Sequence, residues 1–384
     1  MVMKKYHLFA AVAAIASLAA CSKSSVTAVE TEDGAPVPVQ FGVGSPMDVR
    51  VKSVGSVGGT EAQGNVWNGQ ELKIYGFERS VTDFTSPAFI DNVSAIAPVG
   101  EQKGVLSVSN AAAGNEPFYY ESGFCYDFYG YFTDDATPAE TEPVKTAEGI
   151  SVPFTIDGSQ DLMIAKADQQ TDIDAAGAGD KVKEDRAYSA YAARRGVQPT
   201  LSFKHLLTRF TFKIVAGSAS ANDISVDKIS LVSKTSGNIV VVGGERGLAN
   251  IDETTAELFL QQRGENGSME AFTPVKTEEW VEDRSNARSV GESLMVIPAE
   301  DYVLTIYMSK DGSATEVKPT TTSLNITKVT DAPEGATAFE AGYSYEVTAV
   351  IYGLEEVKIT AALEPWKDGG HATIDPDEEW AESL

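Results

Sequence analysis

The sequence is poor in the residue types on which most catalytic and metal sites depend. Its 384 residues include two cysteines and three histidines. His7 lies in a leader-like N-terminus, and neither His205 nor His371 has a second ligand at metal-binding spacing. The patterns GxSxG, HExxH, CxxC and the phosphate-binding P-loop are all absent. The sequence therefore predicts a protein that is not an enzyme and that holds no metal or cofactor.

Positive charge is also scarce. Thirty Lys and Arg stand against 56 Asp and Glu, which gives a net charge of −26. Such a chain repels a phosphate backbone, so we expect no nucleic-acid partner. Acidic clusters occur at Asp134–Asp135 and at 172–180, but the second lacks the ligand spacing of an EF-hand. A loose calcium site and a pair of glycosidase carboxylates stay open, although nothing singles either out.

The chain can form at most one internal disulfide bond, because Cys21 and Cys125 are the only cysteines. Its stability must come mainly from packing. Cys125 lies in the aromatic stretch GFCYDFYGYF and is expected to act as a small buried hydrophobe.

Long apolar runs are missing, and the run from Leu8 to Ala20 is too short to cross a bilayer. It follows a basic start and predicts a signal peptide over residues 1–20. The ending Leu18-Ala19-Ala20-Cys21 resembles the bacterial lipobox, which predicts lipidation of Cys21. An ordinary signal peptide followed by a chance cysteine is the alternative. Residues 21–36 are polar and predict a flexible spacer.

What the sequence has in abundance is short β-like segments between turn residues. The most strongly patterned one is Leu201 to Val215, in which apolar residues keep period 2 in two registers. The phase slips near Leu206-Leu207, which predicts a bulge or bend that moves the chain to another sheet. Before this stretch, Gly196 and Pro199 mark a boundary. The segment AYSAYAARR could form about two helical turns.

Many short strands without βαβ alternation predict an all-β fold of antiparallel sandwiches. The chain is long enough for two cores. We expect one sandwich domain over residues 37–199, a second over 200–376, and an acidic tail over 377–384.

Several segments, taken together and in order, resemble the fimbrillin family of type V pilus precursors in Bacteroidota. They are the lipobox, VPVQF, NVWNGQELKIYGF, DFYGYF, DLMIAKAD, LSFKHLLTRFTFKI, ESLMVIPAE, FEAGYSYEVTAVIY and ITAALEPW. The resemblance implies two transthyretin-like sandwiches and a lipoprotein precursor at the outer membrane. It also implies that an Arg-specific protease removes the first strand, after which a strand from another fimbrial subunit fills the groove.

In this sequence the removable strand would be Val37 to Val43, and Arg50-Val51 offers the only Arg bond between Cys21 and Arg79. Arg50 could equally be an ordinary surface residue. A cut at Arg79 would follow a segment that we expect to belong to the core.

The resemblance places the donor strand near the C-terminus. The apolar candidates there are Ile359, Ala361, Leu363 and Trp366. The alternative is that the first three form the last strand of the second sandwich.

Two functions remain at this stage. The first is a structural fimbrial subunit at the cell surface that serves adhesion, with a host surface or glycan as a further partner. The second is a monomeric outer-membrane lipoprotein that binds glycans through exposed aromatic residues. Candidates for such stacking are Trp67, Trp280 and the Tyr-rich stretch 119–131, although aromatic residues at these spacings are more often core.

Overall fold

The computed structural model of the chain describes residues 36–43, 67–101, 103–110, 114, 116–137, 141–167, 188–194, 196–264, 268–310, 317–330, 332 and 335–364. Cys21, Arg50, Val51, Trp366, His371, the cluster at 172–180 and the predicted signal peptide, spacer and tail lie outside the described residues.

The part of the chain before Leu206, here called the N-terminal half, is built almost entirely of short strands. They are β1 (Val37–Pro38), β2 (Gly42–Val43), β3 (Glu71–Glu78), β4 (Ile90–Ile96), β5 (Gly104–Val105), β6 (Ser107–Val108), β7 (Tyr119–Tyr120), β8 (Tyr126–Phe132), β9 (Val144–Lys145), β10 (Ile150–Thr155), β11 (Met163–Lys166), β12 (Thr200–Leu201) and β13 (Lys204–His205). The helix α1 (Ala190–Ala193) is a single turn, and the Ser189 hydroxyl caps it by accepting from the Ala192 N–H.

The C-terminal half, from Leu206 onward, contains longer strands. They are β14 (Thr208–Ala216), β15 (Ile224–Lys234), β16 (Ser236–Val242), β17 (Gly247–Ala249), β18 (Thr255–Phe259), β19 (Gln261–Arg263), β20 (Met269–Ala271), β21 (Val275–Lys276), β22 (Arg288–Val296), β23 (Asp301–Lys310), β24 (Lys318–Asn325), β25 (Val329–Thr330), β26 (Ser344–Gly353) and β27 (Glu356–Glu364). Two 3-10 turns, Ala219–Ala221 and Ile326–Lys328, complete it.

The all-β prediction is confirmed. The strands form a six-stranded sheet (β13-β11-β8-β3-β4-β6), a four-stranded sheet (β17-β16-β10-β9) and two five-stranded sheets (β22-β14-β26-β27-β25, and β18-β15-β23-β24 with β21 beside β15). Smaller sheets are β12-β2-β5, β1-β7 and β19-β20. Most neighbours are antiparallel, as predicted, but β14 runs parallel to β26, β12 to β2 and β25 to β27.

The bend predicted near Leu206-Leu207 is confirmed. Before it, β13 pairs with β11 in the six-stranded sheet, and after it, β14 pairs with β22 and β26 in a five-stranded sheet. The side chains of Phe210, Phe212 and Ile214 are all buried on one face of β14, as their period of 2 predicted.

The two halves share a sheet. Strand β10 of the N-terminal half pairs with β16 of the C-terminal half from Ile150 to Thr155. One hydrophobic cluster also runs through both halves and includes Tyr75 and Phe77 together with Phe210. The boundary after residue 199 and the transthyretin-like tandem arrangement therefore stay predictions, since the pairing that we see crosses that boundary.

A second hydrophobic cluster lies on the opposite face of the six-stranded sheet. It includes Phe128 of β8, Leu201, Phe203 and three residues of the first described segment, Phe41 among them. Cys125 is buried. This cluster brings the beginning of the described chain against the centre of the N-terminal half.

Candidate functional site

The segment 36–43, here called the N-terminal segment, passes through the interior of the N-terminal half. Its side chains alternate as in a strand. Val39, Phe41 and Val43 are buried, with Phe41 only 1% exposed. Fully burying side chains of this size contributes about 1.5–3 kcal/mol each. The segment is therefore part of the core rather than an appendage to it.

Backbone hydrogen bonds hold one side of the segment in an antiparallel arrangement. Val37 and Pro38 pair with β7, and the Val39 N–H donates to the Phe118 carbonyl at 2.7 Å. Further along, the Leu106 N–H donates to the Phe41 carbonyl at 2.8 Å, and β2 pairs with β5. The segment has strand partners along its whole length on this side.

The other side of the segment faces residues 198–201. Gly42 donates its N–H to the Pro199 carbonyl at 2.9 Å, and β2 runs parallel to β12. The Gln198 side chain continues this edge. Its Oε1 accepts from the Gln40 N–H at 3.1 Å, and its Nε2 donates to the Pro38 carbonyl at 3.4 Å. The segment is thus a central strand, bonded on both edges.

The surface against which the segment packs, here called the floor, consists of aromatic side chains. The rings of Phe41 and Phe128 meet edge to face, with centroids 5.0 Å apart. Tyr120 and Tyr188 also pack on Phe128. The ring of Phe128 lies close to β3 because Gly76 stands opposite it, where an added Cβ would come within 2.9 Å of the ring. We call the space that the N-terminal segment fills the groove.

The structure bears on the alternative cutting position. Arg79 follows directly after β3, and its guanidinium lies 2.9 Å from the Asp127 carboxylate of β8. A cut there would release β3, which pairs with both β4 and β8 in the six-stranded sheet. A cut between residues 44 and 66 would release the N-terminal segment alone.

The structure does not bring the three donor candidates that it describes to the groove. Ile359, Ala361 and Leu363 lie on β27, opposite Ala349, Val347 and Tyr345 of β26. This pairing extends along all of β27, which agrees with the alternative that these residues form a strand of their own half. A donor role for β27 would require that long pairing to open.

The aromatic residues considered for glycan stacking divide into buried and exposed. Trp67 is fully buried against Phe203, with centroids 5.7 Å apart, so it offers no stacking surface. In the Tyr-rich stretch, Tyr120, Tyr126, Tyr129 and Tyr131 are buried. Tyr119 and Trp280 are exposed. Most of these residues are core, as the plainer interpretation predicted.

A buried polar cluster lies where the chain leaves the N-terminal half. The Nδ1 of His205 lies 2.7 Å from the Asp161 Oδ2, and both side chains are almost completely buried. The backbone N–H of Asp161 donates to the Asp134 Oδ2 at 3.1 Å. His205 is therefore a buried histidine that contacts the Asp161 carboxylate at the bend.

Burial raises the pKa of the Asp134 carboxyl from 3.8 to about 7. The Asp161 N–H and Arg263 act to lower it, while the charges of Asp161 and Asp135 add to the increase. Because this pKa is higher in the folded than in the unfolded chain, the folded chain binds the proton more tightly. The resulting stabilisation is complete below the ordinary pKa and is lost as the pH rises through about 7.

We therefore expect Asp134→Asn to be more stable than the parent at pH about 8. The gain should be roughly 1.4 kcal/mol for each unit by which the pKa is raised, and it should vanish as the pH falls to about 4. Asparagine keeps the acceptor for the Asp161 N–H and tolerates the φ of 45° at this position. Urea unfolding at several pH values measures the difference.

Asp135→Asn is the control for this prediction. Asp135 occupies the same turn with a φ of 62°, and its side chain is exposed. Because its charge adds to the increase in the pKa of Asp134, its replacement should give a smaller gain at pH about 8 than Asp134→Asn does. A gain for Asp134→Asn that is independent of pH would contradict the account of this carboxyl.

Sequence reasoning missed Gln198 and Asp161. Gln198 lies between Gly196 and Pro199, which mark only a boundary, and nothing in the sequence indicates that its amide contacts residues 38 and 40. Asp161 opens the segment DLMIAKAD, and its contact with His205 depends on the register between β11 and β13. Both contacts join residues that are far apart in the sequence.

No group of His, Cys, Asp and Glu within the described ranges is arranged to hold a metal ion. In the same ranges, no helix is both long and apolar enough to cross a membrane.

Comparisons with known proteins place the chain in a family. Solved structures that are similar to this chain include a candidate cell adhesion protein from Bacteroides uniformis ATCC 8492, with 16% identity, coverage of 86% of this chain and 99% of that one, and a TM-score of 0.49. A fimbrial protein from Bacteroides vulgatus ATCC 8482 has 13% identity, coverage of 77% and 93%, and a TM-score of 0.44. A search of curated proteins found no match. The family model described as fimbrillin-like matches residues 60–366. This chain belongs to the fimbrillin-like family.

Proposed function

We propose that this chain is a structural subunit of a type V fimbria that assembles by replacement of its first strand and serves adhesion. The precursor is lipidated at Cys21 and held at the outer membrane. An Arg-specific protease cuts between Arg50 and Val51, the N-terminal segment leaves, and a strand from another fimbrial subunit enters the groove. The observation that supports this most strongly is that the segment is a central strand at the beginning of the described chain.

The physical basis for the exchange is the cost of an empty groove. Loss of the segment would expose the aromatic floor around Phe128 and leave the backbone groups of β5 and residues 198–201 without partners. Exposed apolar surface and an unpaired strand edge both favour the addition of another strand. Backbone hydrogen bonds then supply affinity, and side chains at alternate positions supply the register.

The chain beyond the segment is suited to survive such a cut. The six-stranded sheet, the four-stranded sheet and both five-stranded sheets contain no strand from the N-terminal segment. Removal of residues up to 50 therefore leaves every large sheet complete.

Arg50→Ala, made in the full-length lipoprotein in cells, tests the proposal. In the parent we expect the subunit to lose its residues up to Arg50, to leave the membrane fraction with the severed Cys21 left behind, and to form a ladder of oligomers. Arg50→Ala should stay intact, membrane-bound and unpolymerised. Immunoblots of fractionated cells, run without boiling, measure all three properties.

Lys52→Ala is the matched control, since it changes a basic residue in the same stretch but leaves the Arg bond in place. It should behave as the parent does. A ladder of equal intensity from Arg50→Ala would rule out processing at this bond. A parent chain that stays intact, membrane-bound and monomeric would instead favour the monomeric glycan-binding lipoprotein.

A further inference from the structure

The Gln198 side chain forms the two hydrogen bonds that the backbone of a parallel strand would form at this position. In a parallel pair, one residue bonds to the carbonyl of one neighbour residue and to the N–H two residues further along. Gln198 makes this pattern with its amide, because Nε2 donates to the Pro38 carbonyl and Oε1 accepts from the Gln40 N–H. The amide therefore extends the parallel edge beyond the point where β12 begins.

A side chain is needed at this place because the backbone cannot continue the parallel edge. Pro199 has no N–H, and the Val197 N–H donates to the Ala192 carbonyl instead of to the segment. The Gln198 amide supplies a donor to the Pro38 carbonyl and an acceptor for the Gln40 N–H. Its contacts reach only backbone atoms of the segment, so they do not depend on which side chains the segment carries.

The groove selects the side chain of its occupant at the position of Phe41, which follows Gln40. Phe41 is the largest side chain of the segment, and it is buried edge to face against Phe128. Val39 and Val43 flank it at the alternate positions of the same face. A shift of one residue would turn all three side chains away from the floor.

We propose that Gln198 is the backbone clamp of the groove and that the space filled by Phe41 is its register pocket. The segment that occupies the groove in a fimbria is then an extended strand with an aromatic side chain at its centre and an aliphatic one two residues away on each side. This inference rests on the proposed function, since it describes the strand that replaces the N-terminal segment.

The sequence of β27 fits this description poorly. Its central candidate, Ala361, lies between Ile359 and Leu363 and is too small for the space of a phenylalanine ring. In residues 365–384 the two tryptophans, Trp366 and Trp380, have acidic residues at both flanking alternate positions. The groove therefore favours a strand of a different subunit over the final residues of a second copy of this chain.

Peptide exchange tests the proposal without relying on the natural protease. A recognition site for a sequence-specific protease is inserted between residues 52 and 66 of the full chain, and the chain is cut there. Labelled peptides then compete for the groove. They have the sequence of residues 36–45, the same sequence with Phe41→Ala, and the sequence of residues 357–364. Fluorescence anisotropy measures their affinities and dissociation rates.

We expect the first peptide to bind, and the peptides with alanine at the centre to bind at least tenfold more weakly. Gln198→Met keeps the length of the side chain but removes both hydrogen bonds. It should speed the dissociation of every peptide by the same factor, on the order of tenfold. Gln262→Met changes an amide of β19, outside the groove, and should leave dissociation unchanged.

Three results would overturn the inference. They are a Gln198→Met chain that holds the peptides as long as the parent does, a factor that differs widely between peptides, and equal affinity for the phenylalanine and alanine peptides. Failure of the proposed function is a separate outcome, because peptide selection can hold in a chain that never polymerises.

Discussion

Replacing Phe41 with alanine is expected to lower the free energy of unfolding by about 3–5 kcal/mol, which is the usual cost of removing a buried phenylalanine side chain. The ring is 1% exposed and lies 5.0 Å from the ring of Phe128. Its loss leaves a cavity between the segment and the floor of the groove. Urea unfolding of the uncut chain measures the change.

Phe259→Ala is the matched control, because this phenylalanine is 38% exposed on β18. It should cost less than 1 kcal/mol, as surface substitutions usually do. If Phe41→Ala costs no more than the control, the segment is not seated in the core and the groove does not exist as described.

The second large effect is expected at Phe210, in the C-terminal half. Its ring contacts those of Tyr302, Phe339 and Tyr345, with centroid distances of 5.3, 5.2 and 5.6 Å. Phe210→Ala should also cost about 3–5 kcal/mol, since it empties the centre of this aromatic group. Thermal and urea unfolding measure the loss.

The stability losses caused by Phe41→Ala and Phe210→Ala are expected to respond differently to an added peptide. A peptide with the sequence of residues 36–45 should recover stability in a cut chain that carries Phe41→Ala in its released segment, because the peptide supplies the missing ring. It should leave the loss caused by Phe210→Ala unchanged. Recovery of both variants would mean that the peptide acts outside the groove.

Local patterns predicted much of this fold because they depend on neighbouring residues. The period-2 alternation in Leu201 to Val215 placed Phe210, Phe212 and Ile214 in the core, and its phase slip placed the bend at Leu206-Leu207. The strand expected at Val37 to Val43 shows the same alternation, because the side chains of Val39, Phe41 and Val43 are buried. Alternation is visible in sequence because side chains of a strand point to opposite faces in turn.

Partners over long sequence distances could not be predicted in this way. Pairing of β10 with β16 joins the two halves, and neither strand carries a signal for the other. The parallel pairing of β14 with β26 is equally hidden, because it depends on which strands become neighbours. Gln198 contacts a segment about 160 positions away, so its role as a clamp became visible only in three dimensions.

The most direct test of the account is the intact mass and size of the purified chain without its lipid anchor, before and after digestion with an Arg-specific protease. We predict a single cut after Arg50 and loss of the N-terminal segment, after which the cut chain takes up an added peptide with the sequence of residues 36–45 as a one-to-one complex. A chain that is not cut there, or that loses the segment and takes up no peptide, would contradict assembly through the groove.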